Sequence, residues 1–318
     1  MISVVIPSYQ RKESVLELLA TVYQQRQVDF EVILVDDNST DGTSQAVTER
    51  YPQTNVLRET ANRGPAASRN RGIQQARGDL IVGLDNDATL PATDVLKKVK
   101  DLFEVFPSVD GWAFRILRPD GIADDIERWW HPRPIAGNAA LPFVTDYFSG
   151  TAFAFRKKAV CEAGLFPEIF FQYYEENSVA LRLIDNGATI VYCPNLAVLH
   201  HAPVGRQNAR RRFYQPRNQI LLALSCYPVI RGLLFVTPRI AYRFLRAILE
   251  GYLPTLLRAL WSAATLLPHV WSRRKPLKSA TWRLIADIRK GNVALPIAAD
   301  ASLGAGSRQL RLTKTVPT

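Results

Sequence analysis

Two aspartates separated by one residue end an apolar run and offer the plainest chemistry in this sequence. Asp85 and Asp87 come directly after Leu80–Leu84, a run that predicts a buried central strand. A carboxylate is costly to bury without a partner, and oxygen ligands of this kind favour Mg²⁺ or Mn²⁺, which often also bind substrate phosphates. The pair therefore predicts a divalent metal site, and the alternative is a turn whose carboxylates cap the next helix.

The elements that would position this pair are strands and helices in alternation. Helical periodicity alternates with four predicted strands, at residues 3–6, 31–35, 55–57 and 80–84. This order predicts an α/β fold with a mostly parallel, doubly wound sheet, in which ligands bind beyond the carboxyl ends of the strands. Tyr9, Asp37 and Asp87 each follow the carboxyl end of a strand, so we expect all three on one rim.

Arg69 lies in the predicted helix between the third and fourth strands, together with Arg71. A guanidinium there can reach a phosphate, whereas Asp37 can hydrogen-bond a base edge or a ribose. The alternative for either arginine is a solvated helix face. The sequence contains neither a Walker A loop nor a G-x-G-x-x-G motif, so it lacks the usual phosphate signature of ATP and dinucleotide folds.

Four motifs resemble, in order and spacing, the family 2 glycosyltransferases: Val5–Tyr9, Val35–Thr43, Asn62–Gly72 and Gly78–Asp87. The resemblance implies the nucleotide-sugar-binding GT-A fold and an inverting transfer. It also implies that Asp85 and Asp87 serve a metal-bound diphosphate and that His200 closes over it, with His201 as the alternative. The donor-binding residues that it implies are Pro7, Ser8, Tyr9, Arg11, Asp36, Asp37, Arg69, Asp85 and Asn86.

The resemblance continues on the acceptor side. Residues 148–156 are similar to a strand that faces the acceptor in this family, which implies contacts from Ser149, Gly150 and Thr151. Trp129 and the candidate acceptor residue Trp130 either stack on a sugar or lipid or fold their loop onto the core. A later segment, Phe213–Asn218, resembles the rhamnosyltransferase-like branch of the family.

Glu175 and Glu176 open a predicted helix and are the candidates for a general base. The helix dipole stabilises carboxylates at this position whatever their role, so helix capping is the alternative. The family pattern has Glu-Asp here with a further acid two residues on, whereas this chain has Glu176 in the Asp position and Ser178 in the other. The resemblance implies Glu176 first, and Glu175 second, as the group that takes the proton of an acceptor hydroxyl.

Charge is distributed very unevenly along the 318 residues. Residues 1–202 carry 20 Lys and Arg against 26 Asp and Glu, whereas residues 203–318 carry 20 against 3. A basic tail on a mildly acidic body predicts contact with an anionic surface. The three cysteines are dispersed and show neither metal spacing nor a disulfide framework, which suits a reducing cytosol, and we expect no signal peptide.

The tail is predicted to lie on a membrane without crossing it. Residues 219–290 contain no stretch of about 18 uninterrupted apolar residues, but Arg239, Arg243 and Arg246 share one helical face, as in an interfacial helix. We therefore predict a GT-A catalytic domain over 1–218, an amphipathic helical, membrane-associating region over 219–290 and a flexible tail over 291–318. The alternatives are a helix packed on the catalytic domain or a contact between two copies of the chain.

These observations predict a cytoplasmic enzyme, peripheral on the inner face of the cell membrane. It would transfer a sugar from a nucleotide-diphosphate donor, with Mn²⁺ or Mg²⁺, to a glycan or lipid-linked acceptor in cell-surface polysaccharide synthesis. One alternative, a sugar-phosphate nucleotidyltransferase, needs a glycine-rich loop after the first strand, and residues 7–11 are too short and too poor in glycine. A second, nucleic-acid binding through the tail, lacks zinc-ligand spacing and an RNP-like aromatic strand, so no nucleic-acid partner is expected.

Overall fold

A computed structural model describes residues 1–201 and 208–298, which fold around one nine-stranded sheet. The strands are β1 (Ile2–Ser8), β2 (Phe30–Asp36), β3 (Asn55–Arg58), β4 (Leu80–Leu84), β5 (Ala88–Thr89), β6 (Gly111–Leu117), β7 (Phe143–Val144), β8 (Ala152–Arg156) and β9 (Ile190–His200). The helices are α1 (Lys12–Val22), α2 (Thr43–Arg50), α3 (Pro65–Gln75), α4 (Val95–Val105), α5 (Lys157–Glu162), α6 (Glu175–Asp185), α7 (Asn208–Cys226), α8 (Val229–Leu249), α9 (Leu253–Ser272) and α10 (Ser279–Lys290). Short 3₁₀ helices lie at Ile126–Arg128 and Glu168–Phe170.

The first half of the sheet is parallel, in the order β3-β2-β1-β4. Every residue of β1 is buried, because helices cover both faces of the sheet and the strand lies near its middle. In the register, Val5 lies between Ile33 of β2 and Gly83 of β4. The carboxyl ends of β1, β2 and β4 therefore meet at one edge, which confirms the predicted fold class for this part of the chain.

The second half of the sheet contains both parallel and antiparallel strand pairs. Strand β8 lies antiparallel between β4 and β6, β9 runs parallel to β6, and β5 and β7 add antiparallel pairs to β9. The chain reaches β8 through an irregular segment and the short β7 rather than through a helical crossover, which allows the reversed direction. The alternation of strands and helices in the sequence did not predict these antiparallel pairings.

The C-terminal helices pack on the same body. Helix α7 runs across residue 218, the predicted end of the catalytic domain, and its Leu221 and Leu222 join the main hydrophobic core. Trp282 of α10 also joins that core, where its ring lies 4.5 Å from that of Tyr227. The division into domains at 218 and 290 stays a prediction, and residues 299–318 of the predicted flexible tail lie outside the described residues.

None of the described helices combines the length and the apolar composition that are needed to cross a bilayer.

Candidate active site

A cleft of about 430 Å³ opens beyond the carboxyl ends of β1, β2 and β4. Its walls come from the loops after these strands, from α3 and from the start of α6. The predicted donor, metal and base residues that line it are Pro7, Ser8, Tyr9, Arg11, Asp37, Arg69, Asp85, Asn86, Asp87, Glu175 and Glu176. The fold thus brings eleven of the predicted residues into one cavity.

Arg69 is the buried cation around which the cleft is built. Its guanidinium donates to the Asp85 carboxylate, with Nη2 to Oδ1 at 2.6 Å, and its Nη1 lies 3.4 Å from Oε1 of Glu175. It also donates to the carbonyl oxygen of Gly150 at 3.3 Å. A Cβ atom on residue 150 would stand 2.5 Å from Oε1 of Glu176 and 2.7 Å from Nη2 of Arg69, so any larger residue there would displace one of these two groups.

Glu175 and Glu176 are neighbouring carboxyl groups, and the pKa of each is raised. Burial raises the pKa of Glu175 well above its ordinary value, and the neighbouring charge of Glu176 raises it further, against the lowering effect of Arg69. Burial also raises the pKa of Glu176, again against Arg69. Glu175 is fully enclosed, whereas Glu176 is partly exposed to the cleft. Of the two carboxylates, Glu176 is therefore the more accessible to a substrate and Glu175 the one tied to Arg69.

Asp85 and Asp87 lie in different electrostatic environments, and their pKa values shift in opposite directions. Burial alone would raise the pKa of Asp85, but the charge of Arg69 lowers it below its ordinary value. Burial and the charge of Asp85 together raise the pKa of Asp87. Asp87 is thus a buried carboxylate whose own partners do not offset the charge beside it, which is the condition that a bound cation relieves.

His200 lies beside Asp87, and its role toward a metal or diphosphate stays a prediction. Its Nε2 lies 3.6 Å from Oδ1 of Asp87, while its Nδ1 donates to Oδ2 of Asp125 at 2.6 Å. A carboxylate on Nδ1 fixes the ring orientation and leaves Nε2 free to accept in the neutral tautomer. His201, the alternative, instead pairs its Nε2 with the hydroxyl of Thr89 at 2.8 Å.

These side chains fit a Mg²⁺ or Mn²⁺ ion in donor type, although they do not form a closed protein cage. Asp85 and Asp87 offer hard carboxylate oxygens, and Asp125 orients His200 as the outer partners of metal-bound histidines do. Within residues 1–201 and 208–298, however, no three His, Cys, Asp or Glu side chains are arranged as a complete metal-binding group. An ion here would need further ligands, and phosphate oxygens of a bound substrate are of the type that Mg²⁺ and Mn²⁺ accept.

Arg128 is the main site residue that the sequence reasoning missed. It lies in the irregular segment after β6, lines the cleft and donates to Nε2 of His200 at 3.3 Å. Burial alone would lower its pKa, but the charge of Asp85 holds it above the ordinary value. The signal in the sequence was its place beside Asp125 and Trp130 in a loop between strands, where functional residues concentrate; no spacing rule marks it.

Asp36 and Asp37 play different parts at the end of β2. Asp36 is buried outside the cleft, where it accepts from the backbone N–H of Ser39 at 2.8 Å and so holds the turn. Asp37 lines the cleft, but both of its oxygens accept backbone N–H groups, from Arg63 at 2.8 Å and Gly64 at 2.7 Å. Its direct contact with a nucleotide stays a prediction.

The predicted acceptor residues do not line the cleft, although one of them, Gly150, lies beside Glu176. Ser149 and Thr151 are buried, and the Ser149 hydroxyl accepts from the backbone N–H of Thr151 at 3.3 Å. Trp130 is 37% exposed, and its ring lies 6.2 Å from that of Tyr147 and 5.7 Å from that of Tyr174. Trp129 instead packs on Phe143 and Tyr192 and folds the loop onto the core.

Several buried polar atoms around the cleft have no hydrogen-bond partner among the described residues. The described part of the chain contains twelve buried side-chain nitrogen or oxygen atoms without a hydrogen-bond partner, and five belong to residues that line this cavity. Buried polar groups are nearly always paired in native proteins, so such a concentration marks a ligand site. The five residues are Ser8, Asn62, Arg69, Arg128 and Glu175.

Comparison with known proteins identifies the class. The model of glycosyl transferase family 2 matches residues 3–163, and the chain belongs to this family. The chain is 29% identical over 234 residues to an N-acetylglucosaminyl-diphospho-decaprenol L-rhamnosyltransferase of Mycobacterium tuberculosis, covering 63% of this chain and 76% of that protein. This similarity agrees with the predicted likeness to the rhamnosyltransferase-like branch.

Two further proteins are similar to this chain, one in sequence and one in its solved structure. The chain is 32% identical over 172 residues to a dolichol-phosphate mannosyltransferase of Pyrococcus furiosus, covering 50% of this chain and 47% of that relative, so it spans about half of that relative's length. It also resembles the solved mannosyltransferase PcManGT of Pyrobaculum calidifontis, in complex with GDP-Man and Mn²⁺. That similarity has a TM-score of 0.55 and 24% identity, covering 92% of this chain and 84% of the other. It shows a shared GT-A fold.

Replacing Arg69 should cost stability in a pH-dependent manner. Arg69→Met leaves Asp85 and Glu175 buried without their cation, which should lower the free energy of unfolding by about 3–5 kcal/mol near neutral pH. Without Arg69, the pKa values of Asp85 and Glu175 rise in the folded state. When the pH falls, the folded protein therefore takes up protons at a higher pH than the unfolded chain does. The deficit should therefore shrink as the pH falls from about 8 to about 5.5. Urea unfolding of the wild type and of Arg69→Met at both pH values measures this loss in the free energy of unfolding.

The neighbouring arginine of α3 supplies the control. Arg71 pairs with Glu59 at 3.6 Å with half of its side chain exposed, so Arg71→Met should cost less than about 1 kcal/mol at either pH. Equal costs for the two substitutions, or an Arg69 cost that grows in acid, would contradict the proposed role of Arg69.

Proposed function

We propose that this protein transfers a sugar, with inversion, from a nucleotide-diphosphate donor to a hydroxyl of a glycan or lipid-linked acceptor in cell-surface polysaccharide synthesis. The observation that carries the proposal is the meeting of Asp87, Arg69 and Glu176 in one cleft at the carboxyl edge of the sheet. The family supports the reaction class. The M. tuberculosis relative's name supports a lipid-linked acceptor, and the PcManGT complex with GDP-Man supports a nucleotide-sugar donor.

The donor side of the cleft is suited to a nucleoside diphosphate. Tyr9 and Asp37 lie at the ends of β1 and β2, where a base and ribose would rest, and Arg128 and the aspartate pair lie deeper. In the proposed complex, Arg128 donates to diphosphate oxygens with its unpaired Nε. Asp85, Asp87 and His200 would hold Mn²⁺ or Mg²⁺, which when bound offsets the negative charge of the departing diphosphate.

The acceptor side holds the proposed base. Glu176 takes the proton of the acceptor hydroxyl, because it faces the cleft and its pKa is raised toward the operating range of a general base. Glu175 fixes Arg69 through the contact at 3.4 Å. Trp130, about one third exposed beside Tyr174, offers an aromatic surface on which an acceptor sugar can stack.

We infer further that the enzyme lies on the cytoplasmic, anionic face of a membrane through α8 and α9. From residue 208 to residue 298 the chain carries 16 Lys and Arg against two acidic residues, a net charge of +14. The large side chains exposed on these two helices form what we call the apolar face: Val229, Ile230, Leu233, Leu234, Tyr242, Phe244, Leu245, Ile248, Leu249, Leu257, Trp261, Leu267 and Trp271. Many exposed apolar side chains on helices of net positive charge are the features that an anionic lipid interface binds.

Glu176→Gln tests the base. The substitution keeps the shape of the side chain and removes its basicity, so kcat should fall by about 10²–10⁴-fold while donor affinity changes by less than about threefold. Glu175→Gln should lose less, because that residue acts through Arg69. Glu162→Gln, on the exposed surface of α5, is the control and should keep full activity. An inactive Glu175→Gln beside an active Glu176→Gln would reverse the assignment, and two active variants would remove it.

Asp87→Asn tests the metal. The wild type should bind UDP, GDP or dTDP sugars more tightly with Mn²⁺ than with a chelator, because a cation held by Asp85 and Asp87 would offset the negative charge of the diphosphate. Asp87→Asn should abolish that difference in calorimetric titration. Asp101→Asn, which removes only the half-buried pair with Lys97 in α4, away from the cleft, should preserve it. The metal role is wrong if the wild type binds and turns over equally well with chelator.

The apolar face is tested by flotation of the full-length chain with vesicles. Wild-type protein should float with phosphatidylglycerol vesicles and detach at high salt. Leu249→Glu combined with Trp261→Glu should stay at the bottom, because these side chains are 74% and 73% exposed on α8 and α9. Ile122→Glu, on a side chain 83% exposed in the catalytic part, should float normally.

Two outcomes would contradict lipid binding. One is a double variant that floats like the wild type. The other is a wild-type dimer in solution that the same two substitutions convert to a monomer without any flotation, since a second copy would then cover the face. Substitutions serve this test better than truncation at 217, because such a cut would pass through α7.

A further inference from the structure

The segment just before the proposed base has an unusual backbone. Phe171, Tyr173 and Tyr174 have φ angles of 63°, 71° and 69°, in the left-handed region that bulky side chains avoid. At Phe171 the chain makes a three-residue γ-turn of the rare form with positive φ, in which Gln172 N–H donates to the carbonyl of Phe170 at 2.7 Å. Tyr174 is the N-cap of α6, so Glu175 and Glu176 follow directly.

One side chain from α7 holds this segment. Asn218 is fully buried, and its Nδ2 donates to three backbone carbonyl oxygens, of Phe170 at 2.9 Å, Gln172 at 2.8 Å and Tyr173 at 2.8 Å. A backbone in a sparsely populated conformation persists only where its surroundings determine it. Three carbonyl oxygens of this segment accept hydrogen bonds from one amide group. Asn218 is therefore the side chain that holds the backbone in this conformation.

The neighbours of Asn218 act on the same segment. Arg217 donates to the carbonyl of Ile169, and Gln219 donates to the hydroxyl of Tyr174. Gln219 is itself fixed by Arg243 of α8, whose Nε donates to its Oε1 at 3.2 Å. Three successive residues of α7 therefore hold the chain from 169 to 174 by side-chain hydrogen bonds.

We propose that Asn218 is a positioning residue for the reaction: by fixing the backbone before α6, it sets the place of the Glu176 carboxylate relative to the acceptor. The inference rests on the proposed function, because it takes Glu176 as the base. The geometry leaves little tolerance. The Glu176 carboxylate lies against Gly150, where an added Cβ would stand 2.5 Å from its Oε1, and Glu175 is tied to Arg69. A relaxed segment 170–174 would turn the first residues of α6 and move Glu176 out of this arrangement.

The rest of α6 and the donor side should remain in place without Asn218. Helix α6 is anchored by its own buried residues, among them Val179, Leu181 and Leu183, which lie beyond the first turn. The donor rim belongs to the loops after β1, β2 and β4, whereas the hydrogen bonds of the Asn218 amide go only to the segment before α6. Phe171 of that segment also lines the cleft, so the donor KM is measured beside kcat. Misplacement of a catalytic group by about 1 Å can cost about 10²-fold in rate, so the effect should fall on kcat rather than on donor binding.

The test uses Asn218→Asp, which keeps the shape and removes both N–H donors, and Asn218→Ser, which keeps one shorter donor. Asn218→Asp should lower kcat by about 10²-fold and Asn218→Ser by about 10-fold, with the donor KM within about threefold of wild type in both. Amide hydrogen exchange over residues 171–176 should accelerate, while exchange in β1 and β4 stays unchanged. The control is Asn186→Ala, which removes a hydrogen bond of 3.0 Å to the Glu162 carbonyl at the other end of α6.

Asn186→Ala should keep kcat and the slow exchange of 171–176. The inference is overturned if Asn218→Ser, the milder variant, has wild-type kcat, if the donor KM rises as much as kcat falls, or if exchange increases throughout the protein. Failure of the underlying function is a separate result. If both Glu176→Gln and Glu175→Gln are active, the base itself is wrong, whereas inactive glutamate variants beside fully active Asn218 variants overturn the positioning role alone.

Discussion

The ion pairs of Arg69 are the interaction on which the rest of the active-site structure depends. Three carboxylates from two distant parts of the chain, Asp85 after β4 and the adjacent Glu175 and Glu176 of α6, meet around one guanidinium that is 3% exposed. Carboxylates buried together without a cation repel one another and lose hydration, so the cleft cannot exist in this form unless α3 brings the arginine beneath it. The parallel half of the sheet and the glycine at position 150 are the conditions for that meeting.

Arg69 does not balance all of this charge. Five carboxylates, Asp85, Asp87, Asp125, Glu175 and Glu176, surround two guanidinium groups, those of Arg69 and Arg128. Burial is the main cause of the raised pKa values of Asp87, Glu175 and Glu176, and the neighbouring carboxylates raise them further. The carboxylates near Asp87 would repel an anionic diphosphate, and a cation bound there would reduce that repulsion, which is a physical reason for the proposed metal. The same surplus keeps Glu176 suited to accept a proton.

The parts of this arrangement that sequence could predict are those set by local pattern. Strand ends in a parallel sheet share an edge, so the rim residues Tyr9, Asp37 and Asp87 followed from periodicity, and the linked motifs added Arg69 and Glu176. Arg128 and its partner Asp125 could not be found that way, because their loop has no periodicity and its position depends on the antiparallel half of the sheet. Left-handed backbone at Tyr173 and Tyr174 also left no trace, since glycine or asparagine is the usual signal.

Helix α7 connects the two parts of the chain that composition separates. Its residues 217–219 hold the backbone before the proposed base, while Leu221, Leu222 and Cys226 anchor the core that α9 and α10 complete. Arg243 shows why charge counts along a helix overstate the basic surface, because it turns inward to Gln215 and Gln219. The basic helices that bear the apolar face are therefore part of the body that positions Glu176, and proposed contact with lipid would act on a rigid support of the active site rather than on a separate anchor.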